Sequence, residues 1–131
     1  MYRTNVTKIA NNFLEHTLHD GIHITSSSKI DIKENTIKLP HQTSIAQYFC
    51  KNGLIERNNL EINPNLPDPI DDRPRAYNKW DNNYYSDTSP TCKDANNDNI
   101  CDNPRIIAQE PSKAPPSAPN SVDYAPSKII I

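Results

Sequence analysis

Residues 30–39 read Ile30-Asp31-Ile32-Lys33-Glu34-Asn35-Thr36-Ile37-Lys38-Leu39, and the reading of this stretch decides the fold. Apolar and polar side chains alternate on both sides of Glu34-Asn35, which is the two-residue period of a half-buried strand. A tight turn at Glu34-Asn35 would set Ile32 against Ile37 and Ile30 against Leu39 on one face, with Asp31 opposite Lys38 on the other. The stretch therefore reads as a β-hairpin, and Ile22 to Thr25 can add a third strand. Glu34 suits a primed two-residue turn poorly, so a longer loop also fits the pattern.

On either side of this hairpin the spacing changes. Val6, Ile9, Ala10, Phe13, Leu14 and Leu18 recur at helical intervals, with Thr4 or Asn5 available as N-cap. His19-Asp20-Gly21-Ile22 then offers a glycine for a left-handed stop and an apolar residue to fold back. After Pro40, Thr43 or Ser44 opens a second apolar run, in which Ile45, Ala46, Phe49 and Cys50 face inward until Lys51-Asn52-Gly53-Leu54 repeats the stop. The fold class expected is α+β: a small helix, β-hairpin, helix head over residues 1–62. Of 12 prolines, Pro40 alone precedes Pro64. Residues 63–131 are accordingly expected as a long, mostly irregular, proline-rich tail without a core of its own. No internal repeat is evident. A head of this size buries only about 60% of its chain's surface and needs support from elsewhere.

A formal charge of −2 offers no basic field for a nucleic-acid backbone. Mean hydropathy is −0.81, and the longest aliphatic run is Ile129-Ile130-Ile131, far short of the ~20 apolar residues of a membrane-spanning helix. The opening MYRTNVTK lacks the pattern of a secretory signal.

Residues 92–102 read CKDANNDNICD. Asp94, Asn96 and Asp98 stand at positions one, three and five of a calcium loop, Ile100 can offer its carbonyl at seven, and Asp102 stands at nine. Joining Cys92 to Cys101 would close a short loop, an effect of roughly 2.5 to 3 kcal/mol on chain entropy, and points to an oxidising compartment. Cys50 is then left as a buried thiol. This run resembles the DxDxDG calcium loops of thrombospondin type 3 repeats and dockerins, especially their DxNxDGxCD variants. The resemblance implies calcium as a cofactor; Asn96 in place of Asp, Asn99 in place of the turn glycine and Arg105 at position twelve imply weak affinity.

Other constellations carry less chemistry. His16, His19 and His23 invite zinc, but Gly21 interrupts the spacing. No glycine-framed nucleophile or phosphate loop exists, and His41 and Cys50 have no reason to meet, so no enzyme activity is expected. Tyr77, Trp80, Tyr84 and Tyr85 can serve as a protein anchor or a glycan surface, or can pack the tail onto the head. Ile129, Ile130 and Ile131 form a β-prone tag suited to strand addition. The functional expectation is a non-enzymatic structural or adaptor subunit of a larger extracytoplasmic assembly, with other protein subunits as partners. Two alternatives are a small secreted calcium-dependent binding module and a cytoplasmic regulatory protein or inhibitor.

Overall fold

The computed structural model describes residues 3–65, 71–73, 78–87, 91–107 and 122–131. The described chain winds in successive coils of short strands. The first coil carries β1 (Asn5–Ala10), β2 (Phe13–Glu15) and β3 (Ile22–Thr25), and the second carries β4 (Ser28–Lys33), β5 (Thr36–Lys38) and β6 (Ile45–Tyr48). The third carries β7 (Leu54–Glu56), β8 (Asn59–Leu60) and β9 (Asp71–Arg73), and the fourth β10 (Lys79–Asp81) and β11 (Tyr84–Tyr85). The described strands close with β12 (Arg105–Ile106) and β13 (Val122–Asp123).

Strands stack on their counterparts one coil away, never on their neighbours in sequence until the last pair. One sheet runs β1-β4-β7-β10-β13-β12, a second β11-β8-β5-β2, a third β3-β6-β9. Every pairing is parallel except β12 with β13. The stacked residues lie 23 apart through the first three coils, as for Asn12, Asn35 and Asn58, and 25 apart from Asn58 to Asn83. This is a three-sheet parallel β-solenoid, in which each coil buries its inward face only against its neighbours.

The α+β expectation is therefore corrected, and stacking is the physical reason. β4 and β5 flank Glu34-Asn35 as read, but β4 pairs with β1 and β7, and β5 with β2 and β8, so they form two sides of one coil rather than a hairpin. The helical spacing of Val6 to Leu18 arises because Ile9 and Leu14 point inward from two strands on either side of a corner at Asn11-Asn12. Similarly, Ile45, Ala46 and Gln47 are buried along a strand, while Phe49 turns outward and is 69% exposed. The irregular tail is corrected too: β7, β8 and β6 pair with β10, β11 and β9 across the boundary expected at residue 62.

Corners are set by left-handed residues that recur with the coil. Asn11, Glu34, Arg57 and Asn82 all have positive φ at one corner, as do Arg3, Ser26 and Phe49 at another, and Val6, Lys29 and Asn52 repeat the conformation at or just before the starts of β1, β4 and β7. None of them is glycine, although such a conformation costs an L residue roughly 1–2 kcal/mol; the cross-coil pairing offsets it. The two glycines serve close approach instead. A Cβ on Gly21 would lie 2.6 Å from the Ser44 carbonyl oxygen, and one on Gly53 2.6 Å from that of Ile30. They are not the left-handed helix stops expected from their sequence neighbours.

The core follows the stacks. Ile32, Ile55 and Trp80 superpose inside the first sheet, and Ile37, Leu60 and Tyr85 inside the second. All six are at most 2% exposed. Ile22, Ile24 and Ile45 close the third side.

Candidate functional site

A ladder of asparagines runs along the inside of one corner through four successive coils. The left-handed residue before each asparagine turns the following side chain inward, where it meets its counterpart one coil away. Asn12 donates from its backbone N and from Nδ2 to Asn35 Oδ1 at 3.0 and 2.9 Å. Asn35 donates in the same two ways to Asn58 Oδ1, and Asn58 to Asn83 Oδ1. The Nδ2 groups also satisfy the carbonyls of Ile9, Ile32 and Ile55. Asn35, Asn58 and Asn83 are fully buried, so these bonds settle groups that would otherwise be costly.

At the C-terminal end Asp123 closes the ladder. Its Oδ2 accepts from the backbone N and Nδ2 of Asn83 and from the Tyr85 hydroxyl, and its Oδ1 accepts from the backbone N–H groups of Asn82 and Ala125. A carboxylate only accepts, so Asp123 offers no side-chain donor for a further rung. Burial pushes the Asp123 carboxyl above the usual aspartate value against the pull of these donors. Burial, and next the Asp123 charge, push the Tyr85 hydroxyl well above its ordinary value.

The expected Cys92–Cys101 disulfide is present, and its loop forms the outer part of this closure. The Cys101 backbone N donates to the Pro126 carbonyl and the Lys128 N to that of Asn99, while Ser127 N reaches back to the Asn83 carbonyl. Within the loop, the expected calcium oxygens serve backbone N–H groups. Asp94 accepts from Asp98 N and Asn99 N, Asp98 from Ile100 N and Asn96 Nδ2, and Asp102 from Ala95 N. The Lys128 ammonium lies 3.2 Å from Asp94 Oδ2. Desolvation works to raise the Asp94 carboxyl, but the Lys128 ammonium and the backbone donors outweigh it and hold it below the usual range. Among the described residues no three His, Cys, Asp or Glu side chains converge as a metal-holding group. Arg105 points elsewhere, pairing with Asp87 at 3.0 Å and lying over the Tyr85 ring.

Of the aromatic residues singled out, Trp80 and Tyr85 are core. Trp80 is 2% exposed with Nε1 donating to Asp72 Oδ2, and Tyr85 is fully buried. Tyr84 is half-buried, and Tyr77 lies outside the described residues. Ile129, Ile130 and Ile131 remain 50, 67 and 42% exposed. Ile131 exchanges hydrogen bonds with the Asn59 side chain, so this tag lies along its own second sheet.

The remaining candidates are scattered over the coil. His16 and His41 line a corner cleft of about 410 Å³ with Leu39 and Glu61. His23 instead pairs with Asp20 at 2.7 Å. Cys50 is a buried free thiol, raised by desolvation, whose Sγ approaches the carbonyls of Ile24 and Tyr48. Ser27, 23 residues before Cys50 and also buried, receives Thr4 N on its Oγ and donates to Thr25 O. Gln47 is fully buried, and its side-chain N and O find no hydrogen-bond partner among the described residues.

The N-terminal end differs. β1, β2 and β3 are each the outermost strand of a sheet. Ile9 and Leu14 are only partly buried there, whereas Ile32 and Ile37, stacked on them, are fully buried. Reasoning from the sequence overlooked both ends of the ladder; the recurrence of Asn12, Asn35, Asn58 and Asn83, each after a corner residue, was the available signal. No family model, curated protein or solved structure matches the chain.

Proposed function

We propose that this chain is a non-enzymatic structural or adaptor subunit of a larger assembly, supplying the closed end of a β-solenoid. The observation that carries this reading is the contrast between its ends: Asp123 and the disulfide loop shut one, and three edge strands with part-exposed core residues lie at the other. Long unpaired edges are a hazard for a free monomer, and a terminal unit with one sealed face suits a protein that joins others through the opposite one. The disulfide favours an oxidising, extracytoplasmic setting such as a secretion apparatus, a surface filament or a virion. Calcium at Asp94, Asn96, Asp98, Ile100 and Asp102 would act in this setting as a clip on the closed end, after displacing the Lys128 ammonium from Asp94.

A tagged chain recovered from its own cells and sized by light scattering tests the reading. The expected result is a complex much larger than the 14.9 kDa monomer, depleted when Val6→Lys and Phe13→Lys are introduced together. Recovery of the unaltered chain solely as a monomer would overturn it.

A further inference from the structure

We propose that the outer edge of the first coil receives a parallel β-coil from a second, different polypeptide, an inference that rests on the assembly reading and specifies the partner's chemistry. The edge has the form of a solenoid step waiting for its next member. β1, β2 and β3 end their sheets; among the described residues no strand pairs with the outer sides of β1 and β2, while the outer side of β3 is met at its end by Arg3, whose N donates to the Thr25 carbonyl. Val6, Phe13 and Leu18 stand 74, 62 and 80% exposed on this coil. A coil laid about 4.8 Å above it would pair the strands and cover Ile9 and Leu14 as the second coil covers them from below.

The ladder's polarity identifies what can fit. On every rung the backbone N and Nδ2 of one asparagine donate to Oδ1 of the next asparagine toward the C-terminus. Asn12 Oδ1, at the head of the series, accepts no hydrogen bond among the described residues, so the occupant must bring donors. A second copy of this chain is unsuited to the task. Its C-terminal end presents the acceptor Asp123 beneath the antiparallel β12. Two first-coil edges brought face to face would oppose one Asn12 Oδ1 to the other. The occupant is therefore a coil from a different chain, with an unsealed C-terminal-side edge, apolar residues above Ile9 and Leu14, and an asparagine above Asn12.

The probe is a synthetic peptide with the sequence of residues 27–49, which carries Asn35 as the donor, added to the intact disulfide-bonded chain at millimolar concentration. Amide hydrogen exchange is followed residue by residue. The expected result is several-fold slower exchange across β1, with a peptide carrying Asn35→Leu giving little or no slowing. Unchanged exchange in β1, β2 and β3 overturns the inference, as does equal slowing by the Asn35→Leu peptide. Slowing seen only when the same coil is fused ahead of Arg3, or a self-dimer that protects β1 without peptide, overturns it as well. A native complex that engages the closed end instead would overturn this inference while leaving the assembly reading intact.

Discussion

The two ends of the asparagine ladder differ in what they can still bond. Asn12 is exposed, its Oδ1 takes no donor among the described residues, and its coil neighbours Ile9 and Leu14 are half-covered. Asp123 is fully buried and gathers five donors from Asn82, Asn83, Tyr85 and Ala125. The same stacking rule thus gives an extendable rung at one end and a terminator at the other, and the change from amide to carboxylate makes the difference. A repeat protein needs such a terminator because its last coil otherwise exposes the inward face that every other coil hides.

The ladder itself offers the largest test of that contrast. Asn58→Leu strips the acceptor from Asn35 N and Nδ2 and the donor from the Ile32 carbonyl, all buried, and is expected to cost about 3–5 kcal/mol in denaturant unfolding. Asn12→Leu leaves its end of the ladder in solvent and should cost less than about 1 kcal/mol. Equal losses at the two positions would erase the distinction between interior and edge.

Reduction of Cys92–Cys101 comes next and should make the closed end behave more like the open one. The entropic effect of the loop is roughly 2.5 to 3 kcal/mol at most. Faster amide exchange in β10 and β13 with unchanged β1 is the expected pattern; a uniform loss across all coils would show that the disulfide does not act on the cap.

Asp123→Asn places an amide donor among donors and is expected to cost about 1–3 kcal/mol. Its pH dependence has a fixed sign. Because the folded carboxyl lies above the ordinary 3.8, its stabilising contribution is fully present below that value and is lost as pH rises through the folded value. The advantage of the unaltered chain over Asp123→Asn should therefore shrink from acid toward neutral pH in parallel urea titrations. An advantage that grows over that range would contradict the raised carboxyl.

The smallest effect is expected at the loop surface. Lys128→Ala removes the ammonium from Asp94, and the Asp94 carboxyl, titrated by NMR, should move up toward its ordinary value. The same variant sharpens the calcium proposal. If calcium competes with Lys128, the substitution tightens binding in calorimetric titration, whereas absence of heat from both chains sinks the calcium clip.

What the sequence disclosed and what it concealed follow from the same geometry. The alternation of Ile30 and Ile32 and the break at Glu34-Asn35 are local, and both exist as a strand and a corner. The partner of that strand lies a whole coil away, and the contacts between coils ask only for similar bulk, so Ile9, Ile32, Ile55 and Trp80 share a stack without sharing identity. The step from 23 to 25 residues between the third and fourth coils further hides the period. Corner residues such as Glu34, Arg57 and Leu39 carry positive φ without glycine, so the usual turn vocabulary misses them. Gly21 and Gly53 meanwhile suggested helix stops while answering to the carbonyls of the next coil. The Cys92–Cys101 pairing was legible because it is local. Trp80 and Tyr85 read equally as a partner-binding patch or as packing for the tail, because aromatic rings among asparagines look alike whether they face solvent or a buried aspartate.

Residue-resolved amide exchange on the isolated, oxidised chain tests the central claim most directly. The account predicts fast exchange in β1, markedly slower exchange in β4 and β7, and slow exchange retained in β10 beneath the closed end. Protection in β1 equal to that in β4, in a chain shown to be monomeric, would contradict an open first coil.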